Sequence, residues 1–459
     1  MSDIAVVGGG LAGISAALAC ADAGAKVTLF EKRSQLGGLT RSFNHDGLCM
    51  DNGQHVFLRC CTAYLDFLDR IGSAGDVELQ DSLQVSVLRR HQDPATISRS
   101  SWPAPLHLSR SLLAYRPVPW QQRLRLGLAA VPLRRLDLDD PALDEQTFAT
   151  WLSTHHQTRA AIGALWDLIC LPTVNLPAEE ASLAMAAKVF QTGLLSDKRA
   201  GDIGWSRLPL GRLHGERSAT ALRKAGVDVR RGCPVDAVRP FSPPPGAPES
   251  AGFAVQAGGT AHRADGVVVA LPHHLVEAVL PDGALPAGVR PSQLGSSPIV
   301  NVHVHLDRRV TDLPFAAGLG EAAQWIFDRT TSSGATTGQY LAVSISGADR
   351  YGAVRPAQLA DEVVESVRAL FPAAGQAKVL GTLVTKEQHA TFRATPGSAQ
   401  HRAPARTRLP GLALAGAWTS TGWPPTMESA VRSGIAAARA VLVATGHRNA
   451  LPSLPREAA

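Results

Sequence analysis

Three glycines near the start of the chain have the spacing of a phosphate-binding turn. Gly8, Gly10 and Gly13 form Gly-x-Gly-x-x-Gly between the apolar run 4–7 and a helical run that ends near Gly24. Gly8 permits the tight turn, Gly10 lets backbone N–H groups approach a pyrophosphate, and Gly13 lets helix and strand pack closely. The N-terminus of the helix faces the phosphate charge. The spacing therefore predicts a dinucleotide site.

A carboxylate follows the second apolar strand. Glu31 comes directly after the run 27–30, about 20 residues beyond the last glycine, where it can accept hydrogen bonds from an adenosine ribose. Because an acid at this place repels a 2′-phosphate, FAD or NAD is favoured over NADP. Strand, turn, helix, strand and acid all fall in register, which argues against a chance glycine turn.

A second glycine pair follows this acid. Gly37 and Gly38 are succeeded by Leu39 and Thr40. This arrangement resembles the FAD domain of the amine oxidase and carotenoid desaturase superfamily, which has Gly-Gly-Arg at this place. The resemblance favours FAD over NAD as the cofactor.

The C-terminal part of the chain carries the rest of this resemblance. A short apolar strand ends at Gly416-Ala417, where the superfamily usually has Gly-Asp, so one polar contact to the cofactor is expected to be missing or replaced. Two prolines then precede Thr426-Met427 and an alanine-rich helix that we expect to end near Ala444. In the superfamily the dipole of this helix stabilises reduced flavin. The resemblance implies non-covalent FAD bound by Gly8, Gly10, Leu11, Ala12, Gly13, Glu31, Lys32, Gly38, Leu39, Thr40, Gly53, Val235, Gly416, Ala417, Thr426 and Met427.

The predicted fold is α/β, with a Rossmann-type FAD-binding domain in three discontinuous segments and an α+β substrate domain. We place the FAD-binding segments at 1–75, 205–290 and 406–446. The substrate domain then comprises a largely helical stretch, 76–204, and a second part, 291–405, with an alternating strand at 299–306. A proline-rich hairpin loop is expected at 242–248 and a disordered tail at 447–459.

Composition and charge narrow the class of protein. The 459 residues show no apolar run of the length needed to span a membrane and no signal peptide, so we expect a cytoplasmic enzyme. The six cysteines have neither metal spacing nor a disulfide framework. His303 and His305 lie on one face of a strand, and with no third ligand evident we expect no metal site. No nucleic-acid-reading module accompanies the mild net charge of +6.

One segment of the sequence combines arginines with many apolar residues. Residues 108–136 contain six arginines, Trp120 and many leucines, and no acid. Basic amphipathic segments of this kind lie in the interface of anionic membranes, which predicts peripheral attachment to the inner face of the membrane. An ordinary helix pair with a solvated basic face is the alternative.

One branch of the superfamily shares further motifs with this chain. The turn 51–55 (Asp-Asn-Gly-Gln-His) and the stretches 168–175, 324–329 and 422–428 look like the squalene-associated branch, over about residues 3–443. The resemblance implies that reduced FAD gives a hydride to hydroxysqualene, an allylic C30 alcohol of hopanoid biosynthesis, which loses water and becomes squalene. His55 is the candidate acid that protonates the hydroxyl, and Gln54 is expected to position it. A structural histidine is the alternative for His55, and Glu428 is expected to be a structural acid in a helical first turn.

Other functions stay open at this stage. Desaturation of a long polyprenoid is the same flavin chemistry in the oxidative direction. An amine oxidase is less favoured, because such enzymes place a tyrosine of their aromatic cage where this chain has Thr426. A non-catalytic flavoprotein or lipid carrier would keep the FAD motifs without turnover. No second glycine motif of the same kind appears, so a separate electron donor or reductase is expected.

Overall fold

The computed structural model describes residues 2–241 and 252–454 and has two large sheets with a helical layer. Its strands, numbered along the chain, are β1 (Asp3–Val7), β2 (Lys26–Glu31), β3 (Ser42–His45), β4 (Leu48–Asp51), β5 (Val56–Leu58), β6 (Val77–Leu79), β7 (Gln84–Leu88), β8 (Ala95–Ser98), β9 (Ile203–Ser206), β10 (Asp228–Arg231), β11 (Val235–Phe241), β12 (Gly252–Ala257), β13 (Thr260–Ala264), β14 (Gly266–Val269), β15 (Ser296–Leu306), β16 (Phe315–Gly318), β17 (Trp325–Asp328), β18 (Gln339–Ile345), β19 (Val379–Phe392) and β20 (Leu412–Leu414). Its α-helices are α1 (Leu11–Asp22), α2 (Thr62–Arg70), α3 (Ser109–Ala114), α4 (Trp120–Arg135), α5 (Phe148–Thr154), α6 (Arg159–Ala161), α7 (Asp167–Val174), α8 (Leu183–Phe190), α9 (Arg217–Lys224), α10 (His273–Val279), α11 (Thr330–Ser333), α12 (Pro356–Leu370) and α13 (Met427–Ala444).

The first large sheet is parallel throughout, in the order β10-β2-β1-β14-β20. Its strands come from three separate parts of the chain, which confirms the predicted Rossmann-type fold with discontinuous segments. Alternate residues of β1 are buried in two different hydrophobic cores. Ile4 and Val6 pack in the cluster that includes α1 and α13, whereas Ala5 and Val7 pack with the small sheet β11-β12-β13. Because both faces of this sheet are covered, side chains on both sides of its strands are apolar, and the strands are continuous apolar runs in the sequence.

The second large sheet has seven strands in the order β19-β15-β18-β17-β16-β7-β8. Its longest pairing joins β15 to β19, and α12 packs on it through a cluster of aliphatic side chains. The strand predicted at 299–306 is the C-terminal part of β15. This sheet is built mainly from the segment after residue 291, with β7 and β8 added from far earlier in the chain.

The helical layer begins later than the sequence predicted. The prediction of a largely helical stretch at 76–204 is wrong for residues 77–98, which form β6, β7 and β8. Val85 and Val87 of β7 are buried on alternate positions, a period of two that fits a strand rather than a helix. From residue 106 to 195 the chain is mainly helical and packs around buried aromatic rings.

Two smaller expectations concern the loop and the tail. The predicted hairpin loop at 242–248 lies outside the described residues. The predicted disordered tail is wrong for residues 448–454, because Arg448–Ala450 form a short 3₁₀ turn and the Arg439 guanidinium donates to the carbonyl of Pro452. Residues 455–459 lie outside the described part of the chain. The domain boundaries stay a prediction. Among the described helices, none has both the length and the apolarity to cross a bilayer.

Candidate cofactor and substrate site

The glycine turn between β1 and α1 has no room for side chains. Gly8 has φ +107°, and a Cβ atom on it would lie 2.5 Å from the carbonyl oxygen of Ala270. A Cβ on Gly13 would lie 1.8 Å from the carbonyl oxygen of Gly8. Leu11 and Ala12 form the first turn of α1 and are buried. The turn and the close helix–strand packing predicted from the spacing are therefore present.

The second glycine pair sits directly against this turn. Gly37 N donates to Gly9 O at 2.8 Å, and a Cβ on Gly38 would lie 3.0 Å from Cα of Gly10. The two glycine segments thus form one cradle of bare backbone, which any side chain would partly fill. Leu39 is partly buried beside it, and the Thr40 hydroxyl donates to Gly37 O at 2.8 Å.

Glu31 lies at the carboxyl end of β2, facing the glycine turn. Its carboxylate accepts hydrogen bonds from Gly9 N at 2.6 Å and from Arg33 N at 2.8 Å, and the side chain is buried. The neighbouring Lys32 is exposed. Cys233 N donates to Glu31 O at 3.0 Å, which brings the start of β11, at Val235, to the same edge of the sheet.

The C-terminal helix meets this edge from the other side. The Thr426 hydroxyl caps α13 by accepting from Ser429 N, Met427 is the first helical residue, and the helix ends at Ala444, near the predicted end. A Cβ on Gly434 would lie 2.2 Å from Ala12 O, so α13 crosses α1 in direct backbone contact.

The loop after β20 is fixed to α13 by two hydrogen bonds between its backbone and serine side chains. Gly416 N donates to Ser433 Oγ at 2.8 Å, and Ala417 O accepts from Ser429 Oγ at 2.9 Å. Ala417 itself offers no polar side chain where the superfamily has an acid.

Glu428 has a structural role that the sequence only hinted at. Its carboxylate accepts from Ala63 N at 3.1 Å and Tyr64 N at 2.7 Å, the first amides of α2, and pairs with Arg432 at 2.6 Å. Burial raises the pKa of this carboxyl, and the Arg432 charge opposes the shift. Glu428 therefore joins two helix N-termini, and its position in a first turn was the available signal.

Asp51 ties the turn at 51–55 to β3, to Leu210 and to the end of β17 in the second large sheet. Its buried carboxylate accepts from Ser42 Oγ at 2.6 Å and Leu210 N at 2.8 Å, and pairs with Arg329 at 3.3 Å. Burial raises the pKa of Asp51, while the Arg329 charge lowers it. Sequence reasoning missed this pair, because Arg329 is far away in the chain and no motif couples the two.

Gln54 and His55 line a small cavity beneath β17. Val56, Leu210, Phe327 and Arg329 share its lining, and its volume of about 10 Å³ has room for about one water molecule. Burial lowers the pKa of His55 to about 4, so its imidazole is neutral at pH 7. Gln54 Nε2 is buried and has no hydrogen-bond partner among the described residues. Gly53 lies beside the Asn301 amide at the start of this turn.

These features fit an FAD-binding oxidoreductase. The predicted phosphate, ribose and helix-dipole residues all gather at the carboxyl edge of one parallel sheet, the usual ligand edge of such folds. Arg41 lies three residues after the second glycine pair, and its Nη1 atom is buried without a hydrogen-bond partner among the described residues. A guanidinium donor in this position is suited to bind an anion.

The comparisons with known proteins agree with this class. Residues 11–442 match the model of the flavin containing amine oxidoreductase family, and the chain belongs to this family. FAD is therefore its cofactor, and the chain is an FAD-dependent oxidoreductase.

Individual relatives cover almost the whole chain. A hydroxysqualene dehydroxylase of Zymomonas mobilis is 28% identical, over 95% of this chain and 98% of the relative. A probable zeta-carotene desaturase of Synechococcus elongatus is 23% identical, over 96% and 98%. The structure of cyclohexylamine oxidase from Brevibacterium oxydans superposes with a TM-score of 0.71 at 18% identity, covering 98% and 99% of the two chains, and shows the same fold. The resemblance to hydroxysqualene dehydroxylases inferred from the motifs is thus confirmed.

Proposed function

We propose that this enzyme acts on a long isoprenoid and reductively dehydroxylates hydroxysqualene to squalene. The observation that carries the proposal is the 28% identity to a hydroxysqualene dehydroxylase, which extends over nearly the full length of both chains. Three such relatives, from different bacteria, match at 26–28% identity. The carotenoid desaturase is less similar over the same span.

The cofactor would be held by bare backbone and one buried acid. The Gly10–Gly38 cradle suits the pyrophosphate, and Glu31 suits the ribose hydroxyls while still bonded to Gly9 N. Reduced FAD, when bound, supplies the hydride for the reaction. The N-terminus of α13, capped by Thr426, would favour negative charge on that cofactor.

His55 and Gln54 are the proposed partners of the substrate hydroxyl. Replacing a C–O bond by a C–H bond consumes one hydride and one proton, and the oxygen leaves as water. His55 would give the proton at the departing oxygen, and the unpaired amide of Gln54 would donate a hydrogen bond to it. Because the pKa of His55 is lowered to about 4, only about one molecule in a thousand carries the imidazolium at pH 7. The proton transfer should therefore become faster as the pH falls.

The cavity beside this pair has a mixed lining. Val56, Leu210, Pro314 and Phe327 are apolar, whereas Ser206, Asp328 and Arg329 add polar and charged groups. The loop before α13 places Trp423 within 5.2 Å of the Lys188 ammonium, which would repel a cationic amine beside that ring. The Lys188 charge therefore argues against an amine substrate beside Trp423.

A single anaerobic turnover tests the proposal. The holoenzyme is reduced, mixed with hydroxysqualene in detergent, and followed by flavin reoxidation and by product analysis. We expect flavin reoxidation together with squalene formation in equal amounts. Oxidised enzyme mixed with squalene or phytoene is the matched reverse assay. Flavin reduction by these polyenes, with no reoxidation by hydroxysqualene, would establish the desaturase instead.

Desaturation is the second candidate because a desaturase is among the relatives that cover the whole chain. Both reactions exchange a hydride between the substrate and the flavin. Dehydroxylation needs an electron donor that reduces the flavin, whereas desaturation needs an acceptor that reoxidises it. We propose a separate donor or reductase, which the anaerobic assay bypasses by reducing the flavin chemically.

A further inference from the structure

Helix α4 has apolar residues on two opposite faces. Leu126, Ala129 and Leu133 point inward and are buried in the main core. Trp120, Leu124, Leu128 and Val131, at spacings of four, four and three, form a stripe on the other side, with 43–65% of each residue exposed. A helix that is apolar on both faces is normally covered on both. Within residues 2–241 and 252–454, the outer face of α4 is therefore left without a cover.

Residues before α4 extend this stripe into a patch. Trp102, Leu106 and Leu113 are 57%, 55% and 52% exposed. Together with the four residues of α4 they form what we call the 102–131 patch. Of the ten large hydrophobic residues exposed in the described part of the chain, seven belong to it. The concentration of exposed apolar residues in so short a segment marks an interaction surface rather than ordinary surface composition.

Positive charge accompanies the patch. Arg110, Arg116, Arg125, Arg134 and Arg135 are exposed, and in residues 2–241 and 252–454 none of them forms a salt bridge. No acid occurs from 108 to 136, and the next acids come only after α4 has ended, at Asp137. Arginines around an apolar stripe are complementary to an anionic bilayer, whose headgroups attract the charges while the hydrocarbon receives the apolar side chains.

We propose that the 102–131 patch docks this enzyme on an anionic lipid bilayer. The inference rests on the proposed function, since a C30 hydrocarbon alcohol is held by membranes rather than by water. The exposed apolar residues also begin earlier than the segment 108–136 predicted from the sequence, because Trp102 and Leu106 precede residue 108.

A series of contacts connects α4, which carries part of the patch, through α8 to the loop before α13. Gln191, directly after α8, donates through Nε2 to Leu133 O and Leu136 O, both at 2.8 Å, which fastens α8 under the end of α4. On α8, the Lys188 ammonium lies 5.2 Å from the ring of Trp423. Two helices, α4 and α8, each about 10 Å across, therefore lie between the docking face and the loop that precedes the cofactor-facing helix.

Sedimentation with lipid vesicles tests the docking directly. The FAD-loaded enzyme is mixed, without substrate, with phosphatidylcholine vesicles that contain or lack phosphatidylglycerol. We expect binding to the anionic vesicles that weakens when salt rises from about 0.1 M to about 1 M, because screening shortens the reach of the arginine charges. The double variant L124E/L128E should lower the vesicle partition coefficient at least about tenfold.

A matched control separates the patch from general surface apolarity. Leu380 on β19 is 54% exposed and lies outside the patch, so L380E makes the same change as the single variant L124E at another place. L124E should weaken vesicle binding, whereas L380E should bind vesicles like the wild type. Equal binding by L124E/L128E and L380E would overturn the proposal. So would a dimer of the wild type in vesicle-free buffer that L124E/L128E dissociates, because a second copy would then cover the patch.

The turnover assay keeps this proposal distinct from the proposed function. With hydroxysqualene in detergent, L124E/L128E should reoxidise its flavin at the wild-type rate, and with hydroxysqualene in anionic vesicles it should be at least about tenfold slower. Vesicle binding by a wild type that fails to convert hydroxysqualene would refute the substrate and leave the docking surface supported. A wild type that converts hydroxysqualene in detergent but does not bind vesicles would refute the docking surface alone.

Discussion

Replacing Arg329 by methionine tests how the second large sheet holds the turn that carries Gln54 and His55. Arg329 directly follows β17 of that sheet. Asp51 and Arg329 are only 4% and 8% exposed in their side chains, and Arg329 also donates to the carbonyls of Ser206 and Leu208. Removing the guanidinium leaves a buried carboxylate with two neutral donors, which costs about 3–5 kcal/mol in comparable buried pairs.

The expected change in melting temperature follows from the size of the chain. Cooperative unfolding of 459 residues carries an entropy of about 1 kcal/mol/K, so R329M should melt about 3–5 °C below the wild type. The measurement is thermal unfolding of the FAD-loaded protein at pH 7. Arg70 forms two hydrogen bonds to Asp22, but these side chains are 40% and 52% exposed, so R70M is the control for an exposed ion pair and should shift melting by about 1 °C or less.

A double variant identifies the cause of the loss. D51N/R329M removes both charges, so its destabilisation should be smaller than the sum of the two single losses. The gap between R329M and the wild type should also narrow at acidic pH, because burial already raises the pKa of Asp51 and a protonated carboxyl needs no cation. If R329M and R70M melt alike, or if the single losses add, the buried pair does not anchor the turn as described.

Three further predictions concern the cofactor and the chemistry. Glu31→Arg should weaken FAD binding at least about tenfold in titrations followed by flavin absorbance, because a cation replaces the ribose acceptor; unchanged affinity would remove Glu31 from the site. His55→Ala should keep FAD but slow flavin reoxidation by hydroxysqualene about 10²–10⁴-fold, and the wild-type rate should rise about tenfold per pH unit as the pH falls from 7 towards the lowered pKa of about 4. A rate that is independent of pH would leave His55 structural. Gly434→Ala should lower both melting temperature and FAD retention, since its Cβ would lie 2.2 Å from Ala12 O, whereas Gly127→Ala, with open space around it, should not.

The nucleotide-binding motifs could be predicted from the sequence because their geometry is local. The Gly8–Gly13 turn depends on steric conditions within a few residues, and β1, α1 and β2 follow it directly. The end of α13 at Ala444 was also predicted from local chemistry, namely the prolines before the helix and the alanine-rich run, whereas the Thr426 cap emerged from the structure.

Tertiary structure decided the features that join distant parts of the chain. The Asp51–Arg329 pair, the capping of α2 by Glu428 and the addition of β7 to the second sheet all link residues more than 200 positions apart. No local pattern specifies such partners, because side-chain pairing across a fold depends on which surfaces the packed elements bring together. The same holds for the outer face of α4. Its sequence shows arginines and leucines, but only the folded chain determines which leucines the core buries and which it leaves exposed.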